Sequence, residues 1–356
     1  MRNAIKISIF GLLLGAASSV FAGEGRIPVY AAGTLITNSG KYVLTRNLVG
    51  TGAPVIRINS GSVDLDLNGF LIQANGGVGI QIQNANDVHI YNGVIHTPSV
   101  GIDVSPGALN RAVLEDLRIN APTSYGVYLD PGPNFVIRRV QVQSGGADSI
   151  HVGTGTTVTG RIEGCQVFGG AGRGIYVNVG SSVAIVDNIV RSTGSEGIML
   201  DGCLGCLVER NTVTQARGQG GIYVAFAAGS TVARNVVSGN ENHGIHIGSG
   251  ARDILVEGNI MRENGSAITF GDGLRIGGFG HTIIGNTANA NQGMGIRFLS
   301  SSVFAVFGHN VARANAGQPA NTCSGVPTLF YPDSCNESAN GPTSFGDNLI
   351  PGPPLY

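Results

Sequence analysis

Gly174-Ile175-Tyr176-Val177, Gly197-Ile198-Met199-Leu200, Gly221-Ile222-Tyr223-Val224 and Gly244-Ile245-His246-Ile247 are four copies of one phrase, glycine–aliphatic–x–aliphatic, set 23 or 24 residues apart. Toward the N-terminus the phrase recurs as Gly79-Ile80-Gln81-Ile82, Gly101-Ile102-Asp103-Val104 and Gly126-Val127-Tyr128-Leu129, then with serine for glycine as Ser149-Ile150-His151-Val152. Toward the C-terminus it recurs as Gly273-Leu274-Arg275-Ile276 and Gly295-Ile296-Arg297-Phe298, and Val55-Ile56-Arg57-Ile58 is a degenerate early copy. The steps between the first aliphatic positions are 24, 22, 25, 23, 25, 23, 24, 23, 29 and 22. A second phrase keeps the same step, for example Val88-His89-Ile90-Tyr91-Asn92-Gly93, Val183-Ala184-Ile185-Val186-Asp187-Asn188 and Cys206-Leu207-Val208-Glu209-Arg210-Asn211.

Both phrases alternate apolar and polar residues, the two-residue period of a strand. Turns rich in Gly, Asn, Ser and Asp separate them. One such coil cannot bury its own aliphatic side, but stacked coils share a continuous core. The pattern therefore predicts an all-β parallel β-helix solenoid of about eleven coils. With strands about 4.8 Å apart, the rod would be roughly 50 Å long. A leucine-rich repeat would need a leucine framework that is absent, and a propeller would need blades of roughly 40 residues. A left-handed β-helix would show a six-residue period, which is also missing.

A further column aligned by the step holds Gly69, Gly93, Leu117, Val140 and Cys165, then Asn188, Asn211, Asn235, Asn259, Asn286 and Asn310. Six asparagines in register read as an internal ladder at a turn. Each amide would bond the next coil and satisfy turn backbone groups that burial would otherwise leave unpaired.

On these phrases, and on Val63-Asp64-Leu65-Asp66-Leu67-Asn68-Gly69-Phe70 in particular, the chain resembles the pectate-lyase-like superfamily in its broad parallel-β-helix-repeat branch, over about residues 37 to 312. The resemblance implies a right-handed helix with three sheets per coil and a capped N-terminal end. Many enzymes of that superfamily bind sugar polymers in a groove along one outer sheet.

The N-terminus, MRNAIKISIFGLLLGAASSVFA, has Arg2 and Lys6, an apolar stretch from Ile7 and small residues at Val20 and Ala22. It reads as a secretory signal peptide over 1–22, placing the mature chain outside the cell, in the periplasm or at the cell surface. The apolar stretch is shorter than the roughly 20 residues a membrane span requires, and no later segment resembles one. Residues 23–50 would cap the solenoid, residues 51–312 would form it, and the Pro-, Gly-, Asn- and Ser-rich stretch 313–356 would be an irregular C-terminal cap. Once Arg2 and Lys6 are removed, 19 basic residues face 22 acidic ones, and Lys41 is the only lysine. That balance argues against a nucleic-acid binder, which needs a concentrated basic surface.

Export permits disulfides. Cys323 and Cys335 enclose a loop in the tail and are expected to be bridged. Cys203 and Cys206 form a CxxC pair between two strand-like runs rather than at a helix start, so a structural reading is favoured over a redox one and their bonding state stays open. Zinc is disfavoured because no second pair lies nearby. Cys165 reads as a buried free thiol.

The x position of the first phrase faces outward. Its column reads Arg57, Gln81, Asp103, Tyr128, His151, Tyr176, Met199, Tyr223, His246, Arg275 and Arg297. Asp148, Arg173, Glu196, His243 and Asp272 flank it on one side, Asp130, Asn178 and Asp201 on the other. Aromatic rings can cover the apolar faces of sugars, and charged groups can bind hydroxyls or uronate carboxylates. An ordinary outer sheet would also favour tyrosine, for its strand propensity. Tyr128, Tyr176, Tyr223 and Arg297 are the candidate substrate-binding residues. Asp148, His151, Arg173, Glu196, Asp201, His243, His246 and Arg275 are the candidate catalytic ones.

A hydrolase would need two carboxylates across the bond, such as Glu196 and Asp201. A lyase would need a base, with Asp148, His151 and Arg173 as candidates and calcium held on carboxylates as the implied cofactor. Polygalacturonase motifs match only in part, at His243 and Arg275, and Gly220-Gly221 stands where that family's paired aspartates belong. The mannuronan epimerase Asp-Pro-His phrase is missing, since Asp130-Pro131 is followed by Gly132. The sequence thus points to a secreted polysaccharide-interacting protein, a lyase or hydrolase on an acidic polymer. The alternatives are a noncatalytic surface or adhesion protein and a scaffold whose partner is a protein. The long step between Ile245 and Leu274 marks an inserted loop around Arg262 to Phe270.

Overall fold

A computed structural model describes residues 25–96, 99–104, 110–130, 134–153, 158–178, 180, 182–302, 305–316 and the backbone of 334–336 and 343–345. The signal-peptide stretch and Cys323 lie outside the described residues, as does the side chain of Cys335.

The period-two phrases become short strands, of three to five residues in the first phrase. The first face of the solenoid is a sheet of 13 strands, from Thr34–Ile36 to Ser334–Asn336, each paired in parallel with the next coil. Eleven of them, Ile56–Ile58 to Ile296–Phe298, carry the glycine–aliphatic phrase and its degenerate copy. The second and third faces form one 24-stranded sheet bent at a corner, and the ten-residue strands Asp87–His96 and Arg111–Asn120 run through that corner.

Inside, Ile56, Ile80, Ile102, Val127, Ile150, Ile175, Ile198, Ile222, Ile245, Leu274 and Ile296 stack coil on coil, each at most 1% exposed. Burying one such side chain contributes about 1.5–3 kcal/mol. Glycine opens the phrase because the chain passes too close for a side chain. A Cβ on Gly101 would lie 2.6 Å from Cγ2 of Ile119, and one on Gly126 would lie 2.5 Å from the Ser149 carbonyl oxygen.

Each corner between second and third faces turns through one left-handed residue, such as Asp187 (φ 57°), Arg210 (φ 54°) or Arg234 (φ 56°). The asparagine that follows is buried. Oδ1 of Asn211 accepts the backbone N–H of Asn188 (3.0 Å) and its Nδ2 (2.9 Å), while Nδ2 of Asn211 donates to Ile185 O (2.8 Å). Asn235, Asn259, Asn286 and Asn310 repeat the pattern. An apolar substitute there would strand buried N–H groups, at about 1–3 kcal/mol each. A second ladder, Asn240, Asn264, Asn291 and Asn315, does the same at the turn between third and first faces. Its signal was present in the sequence as an asparagine five residues after each of Asn235, Asn259, Asn286 and Asn310.

The turn between first and second faces uses mixed groups. Cys206 Sγ accepts Val183 N–H (3.4 Å), Ser230 Oγ accepts Cys206 N–H (3.0 Å) and His281 Nδ1 accepts Ile254 N–H (3.2 Å). Cys203 and Cys206 are joined by a disulfide, both buried, so this is the bridge that the described residues contain. Cys165 is free and buried, and burial pushes its thiol up to about 12, so it carries no thiolate at neutral pH.

Parallel pairing starts at Ile27–Val29 against Gly40–Leu44, within the stretch read as a cap. It also runs past residue 312, because Ser334–Asn336 pairs with Ile296–Phe298 and Thr343–Phe345 with Val306–Gly308. A terminal coil offers unpaired N–H and C=O groups, which favour added strands on the stack. No helix among the described residues is long and apolar enough to cross a membrane.

Candidate functional site on the first face

Parallel register makes Arg57, Gln81, Asp103, Tyr128, His151, Tyr176, Met199, Tyr223, His246, Arg275 and Arg297 successive neighbours on the outer side of the first face. The position two residues before the first aliphatic forms an adjoining column, Asp148, Arg173, Glu196, Gly220, His243 and Asp272. Its carboxylates have a plain structural use. Asp148 accepts Arg173 N–H (3.0 Å), Glu196 accepts Gln219 N–H (3.1 Å) and Asp272 accepts Met294 N–H (2.8 Å), each from the next coil.

Around His151 the two columns converge. The other oxygen of Asp148 lies 2.8 Å from His151 Nδ1. The Arg173 guanidinium bridges Asp148 (3.6 Å) and Glu196 (3.4 Å) and lies 4.2 Å over the Tyr176 ring. Tyr176 donates to Asp201 (3.3 Å) and Tyr128 to Asp130 (2.9 Å). Tyr128 and Tyr176 each pack 5.0 Å from the imidazole, and Tyr125 joins them at 5.2 Å. Burial, with Asp130 and Asp201 respectively, pushes both donor tyrosines up to about 12, so they keep their protons at neutral pH. Burial pushes Glu196 up, but the Ser195 hydroxyl, the Gln219 N–H and Arg173 outweigh it and hold the carboxyl below its usual range. The structure thus brings Tyr128, Asp148, His151, Arg173, Tyr176, Glu196 and Asp201 into one cluster. Tyr125, Ser195 and Gln219 were not singled out from the sequence. Tyr125 could have been, because it stands in the same flanking column as Asp148.

Along the column toward the C-terminal end is a second cluster. Tyr223 stacks on His246 (4.8 Å), and His243 meets His246 edge-on (5.3 Å). His243 Nδ1 accepts Asp272 N–H (2.9 Å), and its Nε2 lies 3.2 Å from Arg275. Arg297 Nε lies 3.4 Å from the buried Asp272 carboxylate. Burial, then Arg275, His246 and Arg297, pushes His243 down to about 2; burial and Arg275 push His246 down to about 4. Both are neutral at physiological pH. The inserted loop enters the first face beside this cluster, with Ile268 at 87% exposed.

Met199 and Tyr223 connect the clusters. His151 and His246 stand four coils apart, roughly 19 Å. Buried polar atoms without a hydrogen bond gather on this strip, namely Arg173 Nε, His246 Nδ1, Arg275 Nε and Arg297 Nε. Among the described residues no three His, Cys, Asp or Glu side chains converge as a metal site, and between Asp148 and Glu196 the positive charge is already the Arg173 guanidinium. The residues present do not fit the calcium that a lyase resemblance implies.

No curated protein matches the chain by sequence. Among solved structures, it is similar to the A-module of a mannuronan C-5 epimerase of Azotobacter vinelandii, at 12% identity over 88% of this chain and 91% of that one, with a TM-score of 0.54. It is similar at 15% identity to a periplasmic alginate epimerase, covering 79% and 76% with a TM-score of 0.45. It is also similar at 15% identity to the catalytic unit of an α-1,3-glucanase from Streptomyces thermodiastaticus, covering 88% and 62% with a TM-score of 0.46. At these identities the likeness is one of fold. The family model described as the right-handed beta helix region matches residues 54–213 and 173–326. With its parallel coils, inward aliphatic stacks and that match over most of its length, the chain belongs to the right-handed β-helix family.

Proposed function

We propose that this is an exported polysaccharide-modifying protein that acts on an acidic polymer laid along the first face, by base chemistry at the carbon beside a uronate carboxylate. The observation that carries this reading is the Asp148–His151 hydrogen bond beside Arg173. Asp148 occupies Nδ1, which leaves Nε2 as the ring nitrogen available to a substrate. His151 Nε2 takes the proton from the ring carbon next to the carboxylate. The C–H electron pair moves toward that carboxylate, and Arg173 faces the charge that grows there. The pair then forms a carbon–carbon double bond as the glycosidic oxygen one carbon further on departs, taking a proton from Tyr128 or Tyr176.

Glu196 and Asp201 serve as anchors in this scheme, Glu196 for Arg173 and Asp201 for Tyr176. A hydrolase would need a carboxyl that is protonated at working pH. Glu196 is held ionised instead, so it does not supply that acid. The tyrosines supply faces for the sugar rings. The mannuronan epimerase module of similar fold works on a polymer of this acidic class.

The test is turnover on polygalacturonate, alginate and neutral glucans, with and without added calcium, followed by the absorbance of the unsaturated product. Product formation abolished by His151→Ala and Arg173→Ala supports the reading. Binding without turnover, weakened by Tyr176→Ala, would make this a lectin-like surface. Silence across the panel would leave a scaffold for a protein partner.

A further inference from the structure

A different face carries a second set of groups. On the outer side of the second face, near the N-terminal end, a shallow depression of about 570 Å³ is lined in part by Lys41, Asp64, His89, Arg111, Glu115 and Arg138. Register explains its make-up. Lys41, Asp64, His89 and Val113 are successive partners along one outward column, with Asp87 and Arg111 paired at the strand starts. The His89 ring lies on Tyr91, centroids 4.4 Å apart and planes 23° from parallel, which fixes its orientation. Its Nδ1 is 3.6 Å from Asp64 and its Nε2 is 3.7 Å from Glu115. Both distances exceed a hydrogen bond, and Nε2 is buried with none. Among the described residues it is the one such atom that lies away from the first face.

We propose that this depression is a second saccharide-binding site, for a neutral polyhydroxylated sugar, separate from the first-face strip. Three cations and three carboxylates line it, so its net charge is near zero and a strongly charged ligand gains little there. Arg138 is also committed to Glu115, and Arg111 lies 3.8 Å from Asp87. Such a lining instead offers donors and acceptors in equal measure to hydroxyl groups, each of which both donates and accepts. Val113 supplies an apolar patch of floor, and the outward edges of Lys41, Asp64, Asp87 and Arg111 face the depression beside the His89 ring.

The probe is a set of neutral tetrasaccharides built from glucose, mannose or galactose, titrated against the full chain by calorimetry. At least one should bind, in the millimolar range. His89→Ala should weaken it by about tenfold, and Asp64→Ala should weaken it too, whereas Tyr176→Ala should leave it unchanged. Thermal melting confirms that each variant is folded, and the milder His89→Gln, which retains polar groups, should keep part of the affinity. No binding by any member, binding unaffected by His89→Ala and His89→Gln, or binding lost through Tyr176→Ala would each overturn the proposal. Failure of the lyase reading would show instead as no turnover of acidic polymers, a result this titration does not depend on.

Discussion

His151 and His246 occupy the same outward column four coils apart, yet different groups surround them. His151 is held by a carboxylate, has a guanidinium next door and is ringed by three tyrosines. His246 lies between Tyr223 and His243 with Arg275 beside it, and burial and that arginine keep it neutral. A repeat supplies equivalent backbone positions at about 4.8 Å intervals. What an imidazole does at one of them depends on what the adjoining column places beside it, and there Asp148 and His243 differ.

The largest effect should come from taking each imidazole away. If the cluster around His151 is the reacting centre, His151→Gln lowers kcat on the cleaved polymer by about 10²–10⁴-fold, the usual contribution of a positioned base. His246→Gln should lower it far less and act mainly through KM. Equal losses in the two variants would erase the distinction.

Next in size is the arginine pair. Arg173→Ala strips the charge facing the uronate and leaves Asp148 and Glu196 side by side, so it should depress kcat. Arg275→Ala should raise KM for acidic polymers and lose its effect as salt is added. The split is read from initial rates at two ionic strengths.

The pH dependence of stability sharpens the comparison from the other side. The folded-state values of His243 and His246 lie below the ordinary value of 6.5. As pH falls below 6.5 the unfolded chain takes up protons that the folded chain refuses, so stability is full above that value and declines toward pH 4. For His246 the loss is on the order of 3 kcal/mol by pH 4. Urea melts should show a flatter dependence between pH 6.5 and 4 in His246→Gln, and an unchanged slope would mean the ring is not buried as described. The smallest effect expected is on ring stacking. Tyr176→Ala and Tyr223→Ala should each weaken polymer binding by about 1 kcal/mol, with only Tyr176→Ala also slowing turnover.

Much of the fold was legible in the sequence because its cause is periodic. The alternation of Ile175 and Val177 with Tyr176 states which side chains point inward, and the steps of 22 to 29 residues state which coils stack. The second asparagine ladder was equally visible as Asn240, Asn264, Asn291 and Asn315, but it is shorter and begins only four coils before the last described one. Strands at Ser334–Asn336 and Thr343–Phe345 were not legible, since a Pro- and Gly-rich stretch gives no alternation to read.

The sequence by itself determined the coil, its core and the order of residues along the outward column, because strand geometry turns a two-residue period directly into a side and a register. Only the tertiary structure decided that Arg173 bridges Asp148 and Glu196, that Cys203 bonds Cys206, and that Glu196 is held ionised while His246 is held neutral. Those outcomes depend on side-chain reach between neighbouring coils and on how much water each group loses. Both are set by stacking distance and burial, which a one-dimensional pattern does not contain.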